Sequence, residues 1–278
     1  MEYEVKEQDL LLEFLYKHIK GKSKNNIKSL LKNGIYVNNR KTTKFDYKLD
    51  VGDIVKINVF QKIDDYNKLE IIYEDNDLLV VNKPCGLLTV ATQKEKEKTL
   101  YHFALEYLRS KKEKVFIVHR LDKDTSGIVI FSKNEKLKEM FQDDWKKIAL
   151  KREYVAVVNG NIVPDKKVLK NYLNENKNHL VYVTDKYHGK EAITRYKKIK
   201  SNDNYSLINI DIETGRKNQI RVQLSNYGYG IVGDKKYNNS CEKRLYLHAS
   251  LLKIKHPING KIYEFKSSMP NEFKRFVK

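Results

Sequence analysis

The chain has 278 residues, of which 40% are hydrophobic and 33% charged, and its formal net charge is +19. Its length exceeds the usual size of one domain and its apolar content suffices for a packed core, so we expect two folded units rather than a disordered protein. Such a basic surface attracts polyanions and makes nucleic acid the first partner to consider. A lysine-rich genome composition would produce the same charge, so charge alone does not decide the partner.

The cysteines and the N-terminus predict the compartment. Cys85 and Cys241 are the two cysteines, and their wide separation fits neither a disulfide framework nor a zinc site. The first residues, MEYEVKEQ, are acidic where a signal peptide would be basic, and no apolar run is long enough to span a bilayer. We therefore expect a cytoplasmic protein outside the membrane and, since nothing indicates a dimerisation zipper, a monomer.

The first sixty residues predict a small module of two helices packed on a hairpin. Apolar residues recur at helical spacing over 10–19, and a second apolar stripe over 23–34 lies between a possible N-cap serine and a terminating glycine. The apolar run 35–37, the Asn-Asn pair at 38–39 and the alternating segment 55–59 then predict strands joined by a tight turn.

Two segments of this module, SLLKNGIYVNNRKT and VGDIVKI, resemble an S4 RNA-binding domain over about residues 8 to 60. The resemblance implies a phosphate-facing surface, because clustered cations bind phosphates without reading sequence. Its members would be Lys20, Lys22, Lys24, Lys28, Lys32, Arg40, Lys41 and Lys44. A solvated lysine face is the alternative that the charge pattern alone leaves open. The polar segment 61–70 predicts a linker, which gives an S4-like domain at 1–60 and a larger domain at 71–278.

The most informative segment is HRLDKDTSG at residues 119–127, a charged loop between the apolar runs 115–118 and 128–131. An active-site carboxylate is commonly presented in this way, although the spacing also fits a hydrogen-bonded turn. The nine residues are identical to the catalytic signature of the RluA family of RNA pseudouridine synthases. The resemblance implies that Asp122 is the catalytic carboxylate and that Arg120 fills the space left by the flipped nucleotide.

The implied reaction explains why a carboxylate is wanted. Uridine becomes pseudouridine when the bond between ribose C1' and uracil N1 breaks, the base turns, and C1' is rejoined to C5. An ionised carboxylate could attack as a nucleophile, or remove a ribose proton and stabilise developing positive charge. The sequence leaves both routes open. The reaction needs neither cofactor nor metal.

Three further segments supply candidates around Asp122. In ETGRKNQIRVQL the apolar residues alternate, which predicts a strand with Arg221 turned away from the core and able to pair bidentately with Asp122. An arginine on a solvated strand face is the alternative, but the segment resembles the one that carries the aspartate-pairing arginine of the family. By the same resemblance Tyr154, in KREYVA, would stack on the uracil and is a candidate for removing the C5 proton. Leu247, in RLYLHA, would wall the uracil pocket, with His248 as a buried hydrogen-bonding residue.

The other motifs predict supporting structure. NKPCG at 82–86 predicts a rigid turn in which Lys83 is structural, while Thr99 and Asn134 are placed to cap two helices. We expect an α+β pseudouridine synthase fold, that is, a largely antiparallel mixed sheet with flanking helices, crossed by a cleft and preceded by the S4-type α/β module.

Large-subunit ribosomal RNA is the first expected target and tRNA the second. Two rival functions stay open on the sequence. One is a non-catalytic, ribosome-associated RNA-binding protein, and the other is a hydrolase that uses Asp122 with Asp124 as an acid/base pair.

Overall fold

The chain divides into two compact units, Met1–Asp65 and Tyr66–Lys278. The computed structural model describes residues 2–19, 27–28, 31, 35–38, 40–57, 69–93, 95–238, 240 and 242–277. No helix within these ranges is both long and apolar enough to cross a membrane.

The first unit is a small antiparallel sheet with a helix. Its elements are β1 (Glu2–Glu4), β2 (Asp9–Leu10), α1 (Leu11–His18), β3 (Ile35–Val37), β4 (Arg40–Lys41), β5 (Lys48–Leu49) and β6 (Ile54–Ile57). Among the described strands the sheet order is β1-β6-β3-β4, and β2 pairs with β5. The apolar stripe predicted for the first helix is buried at Leu11, Phe14 and Leu15, and Asn38 has the left-handed backbone that the tight turn requires.

The basic surface predicted for this unit is described in part. Lys28, Arg40 and Lys44 are exposed, as a phosphate-binding surface requires. Lys20 and Lys24, together with Lys22 and Lys32, lie outside the described residues, as do most of the predicted second helix and of the predicted linker.

The second unit is built on one large sheet. Its elements are β7 (Glu70–Glu74), β8 (Leu78–Lys83), α2 (Leu100–Ser110), β9 (Phe116–Ile117), β10 (Ser126–Ser132), α3 (Glu135–Ile148), β11 (Ala149–Asn159), β12 (Lys166–Glu175), β13 (Val181–Thr184), β14 (Lys190–Ser201), β15 (Tyr205–Ile212), α4 (Gln219–Asn226), β16 (Leu247–Lys255), β17 (Ile262–Lys266) and a final 3₁₀ helix, Asn271–Val277.

Eleven of the described strands form this sheet, in the order β13-β12-β14-β15-β11-β16-β10-β8-β7, with β17 paired to β16 and β9 to β10. Strands β10 and β16 pair in parallel, and the other pairs of named strands in the sheet are antiparallel. The expected α+β fold with a largely antiparallel mixed sheet is therefore confirmed.

Both predicted helix caps are present. The Thr99 hydroxyl accepts a hydrogen bond of 3.1 Å from the His102 amide at the start of α2. The Asn134 side chain accepts one of 3.3 Å from the Leu137 amide at the start of α3. Each cap satisfies an amide that the first turn of a helix leaves without a partner.

Strand β10 lies at the centre of the core, because helices cover both of its faces. Ile128 and Ile130 belong to the cluster that contains Phe141 of α3, whereas Val129 and Phe131 pack in the cluster that contains Leu100 of α2. A strand covered on both sides requires the continuous apolar run seen in the sequence. The charged loop at 119–125 thus leads directly into the most buried strand.

Candidate active site

The buried ammonium group of Lys83 holds the charged loop in place. The side chain is 0% exposed, and Nζ donates to the carbonyls of Pro84, Leu87 and Lys123 at 3.0, 2.7 and 2.8 Å. Three acceptors match the three protons of an ammonium group. Burial lowers the pKa of Lys83 to about 8, so the group is still mostly protonated at neutral pH. These contacts give Lys83 the structural role that we expected for it.

Two further side chains fix the same loop. The Thr89 hydroxyl donates to the Leu121 carbonyl at 2.7 Å and accepts from the Leu121 amide at 3.2 Å. The Cys85 thiol donates to the Asp124 carbonyl at 2.9 Å. The backbone on both sides of Asp122 is therefore held by side chains that are distant in sequence, which orients the carboxylate before substrate arrives.

Gly127 ends the loop where β10 meets β16. Its φ is +114°, and an added Cβ would lie 2.2 Å from the Ala249 carbonyl oxygen. The parallel pairing brings the two backbones so close that no side chain fits there. Next to it, Ser126 and His248 are buried and joined by a 2.9 Å hydrogen bond, which gives His248 the buried hydrogen-bonding position expected for it.

Asp122 lines an open cleft of about 640 Å³. Its side chain is 27% exposed, so the carboxylate can meet a ligand while much of its hydration is removed. Burial raises the pKa of Asp122, and the nearby cations Arg221 and Arg120 oppose that rise. Asp124, by contrast, is exposed and does not line the cleft, so the geometry gives no support to an acid/base pair made with Asp122.

Arg221 lies in helix α4, and the prediction of a strand at this segment was wrong. Alternating Ile220, Val222 and Leu224 suggested a period of two, but the helix has eight residues and all six from Gln219 to Leu224 are buried. A helix buried on every side lacks the polar face that gives helical periodicity in a sequence.

The prediction that Arg221 pairs bidentately with Asp122 was also wrong, because the bidentate partner of Arg221 is Asp234. Arg221 Nε and Nη2 each donate a 2.7 Å hydrogen bond to the carboxylate of Asp234, which is 1% exposed. Arg221 Nη1 lies 3.7 Å from the Asp122 carboxylate, which makes a single-point ion pair. Asp234 also accepts the amides of Lys236 and Tyr237, so its local sequence indicates a turn and gives no sign of the pair.

The other site residues predicted within the larger unit meet in the same cleft. Arg120, Tyr154 and Leu247 all line it together with Asp122, and Arg120 is exposed at its rim. Burial raises the pKa of Tyr154 to about 12, so the phenol stays protonated at neutral pH. A neutral phenol is a weak base, and its ring is the part best suited to contact a nucleobase.

His119, the first residue of the signature, has a structural position. Its Nε2 accepts a 3.1 Å hydrogen bond from the Ile130 amide, and its ring stacks on Trp145 with the centroids 4.9 Å apart. Burial lowers its pKa to about 4, which agrees with a ring nitrogen that accepts from an amide.

Several cleft residues were missed by the sequence reasoning. Arg152, Trp145, Lys146 and Arg216 line the cleft. Arg152 could have been found, because it lies two residues before Tyr154 and strand side chains at that spacing share a face. Lys146 and Trp145 come from the helix that precedes the strand, and no local pattern indicates that they face the cleft. The cleft therefore combines Asp122 and the phenol of Tyr154 with the cations Arg120, Lys146, Arg152, Arg216 and Arg221, and three further carboxylates, Asp143, Glu191 and Glu213, also line it. The excess of cations suits a polyanionic substrate.

Comparison with known proteins agrees with this geometry. Residues 77–226 match the family described as RNA pseudouridylate synthase. An uncharacterized RNA pseudouridine synthase of Bacillus subtilis, YhcT, is 31% identical over 222 residues, which cover 78% of this chain and 74% of the relative. The ribosomal large subunit pseudouridine synthase C of Rickettsia felis is 35% identical over 210 residues, covering 73% of this chain and 68% of the relative. The solved structure of human RNA pseudouridylate synthase domain containing 4 superposes with a TM-score of 0.61 at 21% identity over 74% of this chain and 90% of that chain, a likeness of fold.

Proposed function

This chain belongs to the RNA pseudouridylate synthase family, of the RluA type, and we propose that it converts specific uridines of large-subunit ribosomal RNA to pseudouridine with Asp122 as the catalytic carboxylate. The observation that carries the proposal is the position of Asp122, whose carboxylate is held in the cleft, partly desolvated, with a guanidinium 3.7 Å away. Without that cation, burial would favour the protonated acid, which can neither attack C1' nor stabilise positive charge.

Each neighbour of Asp122 has a definable part in this reaction. The Arg221 guanidinium keeps the carboxylate ionised through their ion pair. The Tyr154 ring supports the uracil while it is detached, and the Leu247 side chain closes the apolar wall of the pocket. Arg120, exposed at the rim, is placed to occupy the stack that the flipped nucleotide leaves.

The pKa of Tyr154 bears on the choice between its two candidate roles, stacking on the uracil and removal of the C5 proton. A phenol with a pKa of about 12 is protonated at neutral pH, so it would remove the C5 proton only if its own proton were transferred elsewhere at the same time. Stacking makes no such demand, and we assign stacking to Tyr154 first and proton transfer second.

The relatives and the net charge support this target. Relatives are named ribosomal large subunit pseudouridine synthases, and the chain carries a net charge of +19 that suits a large RNA, with tRNA as the second candidate. The N-terminal unit, with Lys28, Arg40 and Lys44 exposed, would act as an S4-type RNA-binding module that holds the RNA while the larger unit modifies it. Such an enzyme would act as a monomer in the cytoplasm.

The experiment is pseudouridine mapping by carbodiimide-blocked reverse transcription in cells with and without this gene. Sites that disappear with the gene identify the target, and they return on complementation with the wild type but not with Asp122→Asn. Asp124→Asn is the matched control, since its side chain is exposed outside the cleft, and it should restore every site.

Two outcomes would contradict the proposal. Restoration of the sites by Asp122→Asn would remove the catalytic claim and leave an RNA-binding protein. Free uracil or cleaved strands as the products of the purified protein would indicate a hydrolase.

A further inference from the structure

Arg152 is a cleft residue that the proposed reaction has so far left without a role. It lies on β11 two residues before Tyr154, on the same face of the strand, and it lines the same cleft as Asp122. Its Nη2 donates a 2.7 Å hydrogen bond to the Glu213 carbonyl, which fixes the guanidinium. Its Nε is buried and finds no hydrogen-bond acceptor in the described structure.

Within the described residues Arg152 also has no ion-pair partner, and the Asp211 carboxylate acts on its charge only from beyond ion-pair distance. Burial lowers the pKa of Arg152, but a guanidinium stays protonated in proteins, so a positive charge remains inside the cleft. Two cations near it do have carboxylate partners: Lys151 pairs with Glu153, and Arg195 with Glu213. No carboxylate of the described residues lies within 4.0 Å of the Arg152 guanidinium. A partly buried cation without a partner is costly unless a ligand supplies the negative charge.

Gly215 lies next to the Arg152 guanidinium. A Cβ at Gly215 would lie 2.9 Å from Arg152 Nη1, closer than a carbon atom is tolerated there. The φ of Gly215 lies outside the left-handed region, so the backbone alone does not require glycine. A side chain at this position would therefore displace the Arg152 guanidinium, which is the flexible end of its side chain.

We propose that Arg152 stabilises the uracil after it leaves the ribose, an inference that rests on the proposed function. When the C1'–N1 bond breaks, its electron pair stays on the base, and the negative charge spreads over N1, O2 and O4. This holds for both routes open to Asp122. The charge leaves the base when C5 bonds to C1'. In the nucleophilic route the ester bond between C1' and Asp122 breaks at the same time, and in the proton-abstraction route Asp122 returns its proton to the ribose, so that the charge passes to the Asp122 carboxylate. The C5 proton then leaves and N1 gains a proton.

The cleft offers the detached base two partners of opposite charge, Asp122 and Arg152. Asp122 and Arg152 both act electrostatically on Tyr154, and Arg152 reaches towards Glu213 and Gly215 whereas Asp122 contacts Arg221. A nucleotide with C1' at Asp122 and its base on Tyr154 would direct a carbonyl oxygen of the base towards Arg152. A fixed cation aimed at charge that develops only during reaction accelerates the chemical step without tightening ground-state binding.

The test uses single-turnover rates of the full-length enzyme on a stem-loop RNA that carries a mapped target uridine. Arg152→Gln should lower the rate on the order of 100-fold, as loss of one such donor does elsewhere, with RNA affinity unchanged. The same RNA with 5-fluorouridine at the target has no C5 proton to lose, so on both RNAs the rate followed is the loss of the original N1-linked nucleoside. The fluorinated base leaves as a more stable anion, so the defect of the variant should be clearly smaller with it. Lys151→Gln is the matched control, because it removes the same charge one position away on the other face of the strand.

A second variant guards against a simple folding defect. Gly215→Ala keeps Arg152 but displaces its guanidinium, and it should show the same smaller defect on the fluorinated RNA. If Arg152→Gln weakens RNA affinity, reduces the slope of log affinity against log salt concentration by about one and leaves the rate unchanged, then Arg152 contacts a phosphate. That result would overturn the inference. Equal defects on the two RNAs would overturn it as well. Failure of the wild type to modify any RNA would instead count against the proposed function.

Discussion

Arg221 donates two hydrogen bonds of 2.7 Å to Asp234, while its third nitrogen lies 3.7 Å from Asp122. One guanidinium thus serves two carboxylates, with the shorter contacts to the more buried one. Asp234 orients the arginine and takes up much of its charge. Asp122 is left only partly neutralised, which agrees with the raised pKa that burial gives it.

The first prediction concerns Asp234→Asn. Removing one partner of a buried ion pair leaves the other charge uncompensated, so the free energy of unfolding should fall by about 3–5 kcal/mol in urea titrations. Where the variant is still folded, the freed Arg221 should interact more strongly with Asp122 and move the acid limb of kcat/KM to lower pH. Glu264→Gln, in a surface ion pair, is the control that should leave stability unchanged. Unaltered stability of Asp234→Asn would contradict the assigned pair.

The second prediction concerns pH. The proposed reaction needs ionised Asp122, whose pKa lies above its ordinary value of 3.8 because of burial. Activity should therefore fall on acidification at a higher pH than an ordinary aspartate would give. Arg221→Met removes the cation with the largest effect on Asp122 and should move this limb further up in pH. Lys217→Gln removes a weaker one and should shift it less. The kcat/KM profiles of the three proteins test this order.

The third prediction is that Asp122→Asn is at least as stable as the wild type. A carboxyl whose folded pKa is raised favours folding at low pH, and this contribution is lost as pH rises through the folded pKa. At pH 7 the ionised Asp122 thus lowers the stability of the folded state, and replacing its carboxylate with a neutral amide removes this loss. Thermal unfolding at pH 7 should show an equal or higher Tm for the variant. Its advantage should shrink as pH is lowered, and a lower Tm at pH 7 would argue against the desolvated carboxylate.

The fourth prediction separates two glycines that both have positive φ. Gly127→Ala would place a carbon atom 2.2 Å from a backbone oxygen, and we expect a loss of roughly 3 kcal/mol or more in unfolding free energy together with loss of activity. Gly86→Ala meets nothing within 4 Å and carries only the backbone strain, about 1 kcal/mol. Similar losses for the two variants would show that the close approach of β10 and β16 is not what requires Gly127.

The fifth prediction uses Trp145, the single tryptophan of the chain. It lines the cleft and stacks on His119, so RNA that enters the cleft should change its emission. Titration of Asp122→Asn with target RNA should give a saturable change, since we expect this variant to bind without turnover. A parallel titration with RNA that lacks the target uridine should give a smaller change at equal occupancy, measured by filter binding. Identical changes for the two RNAs would mean that the nucleobase does not reach the cleft.

Much of the supporting structure could be predicted from local sequence. The caps Thr99 and Asn134, the buried stripe of α1 and the apolar run of β10 each follow from contacts within a few residues or from burial on known faces. Helix α4 was misassigned because burial on all sides removes the periodic signal on which such predictions depend.

By itself the sequence determined which residues are available for chemistry. The segment 119–127 identified Asp122, and the motifs around Tyr154 and Leu247 identified two walls of the cleft. The tertiary structure decided how these groups are paired. That Arg221 contacts Asp234 more closely than Asp122, and that Arg152 has no carboxylate partner in the described residues, depends on side chains brought together from separate elements. Such distances depend on how the sheet and helices pack, and local sequence patterns do not indicate them.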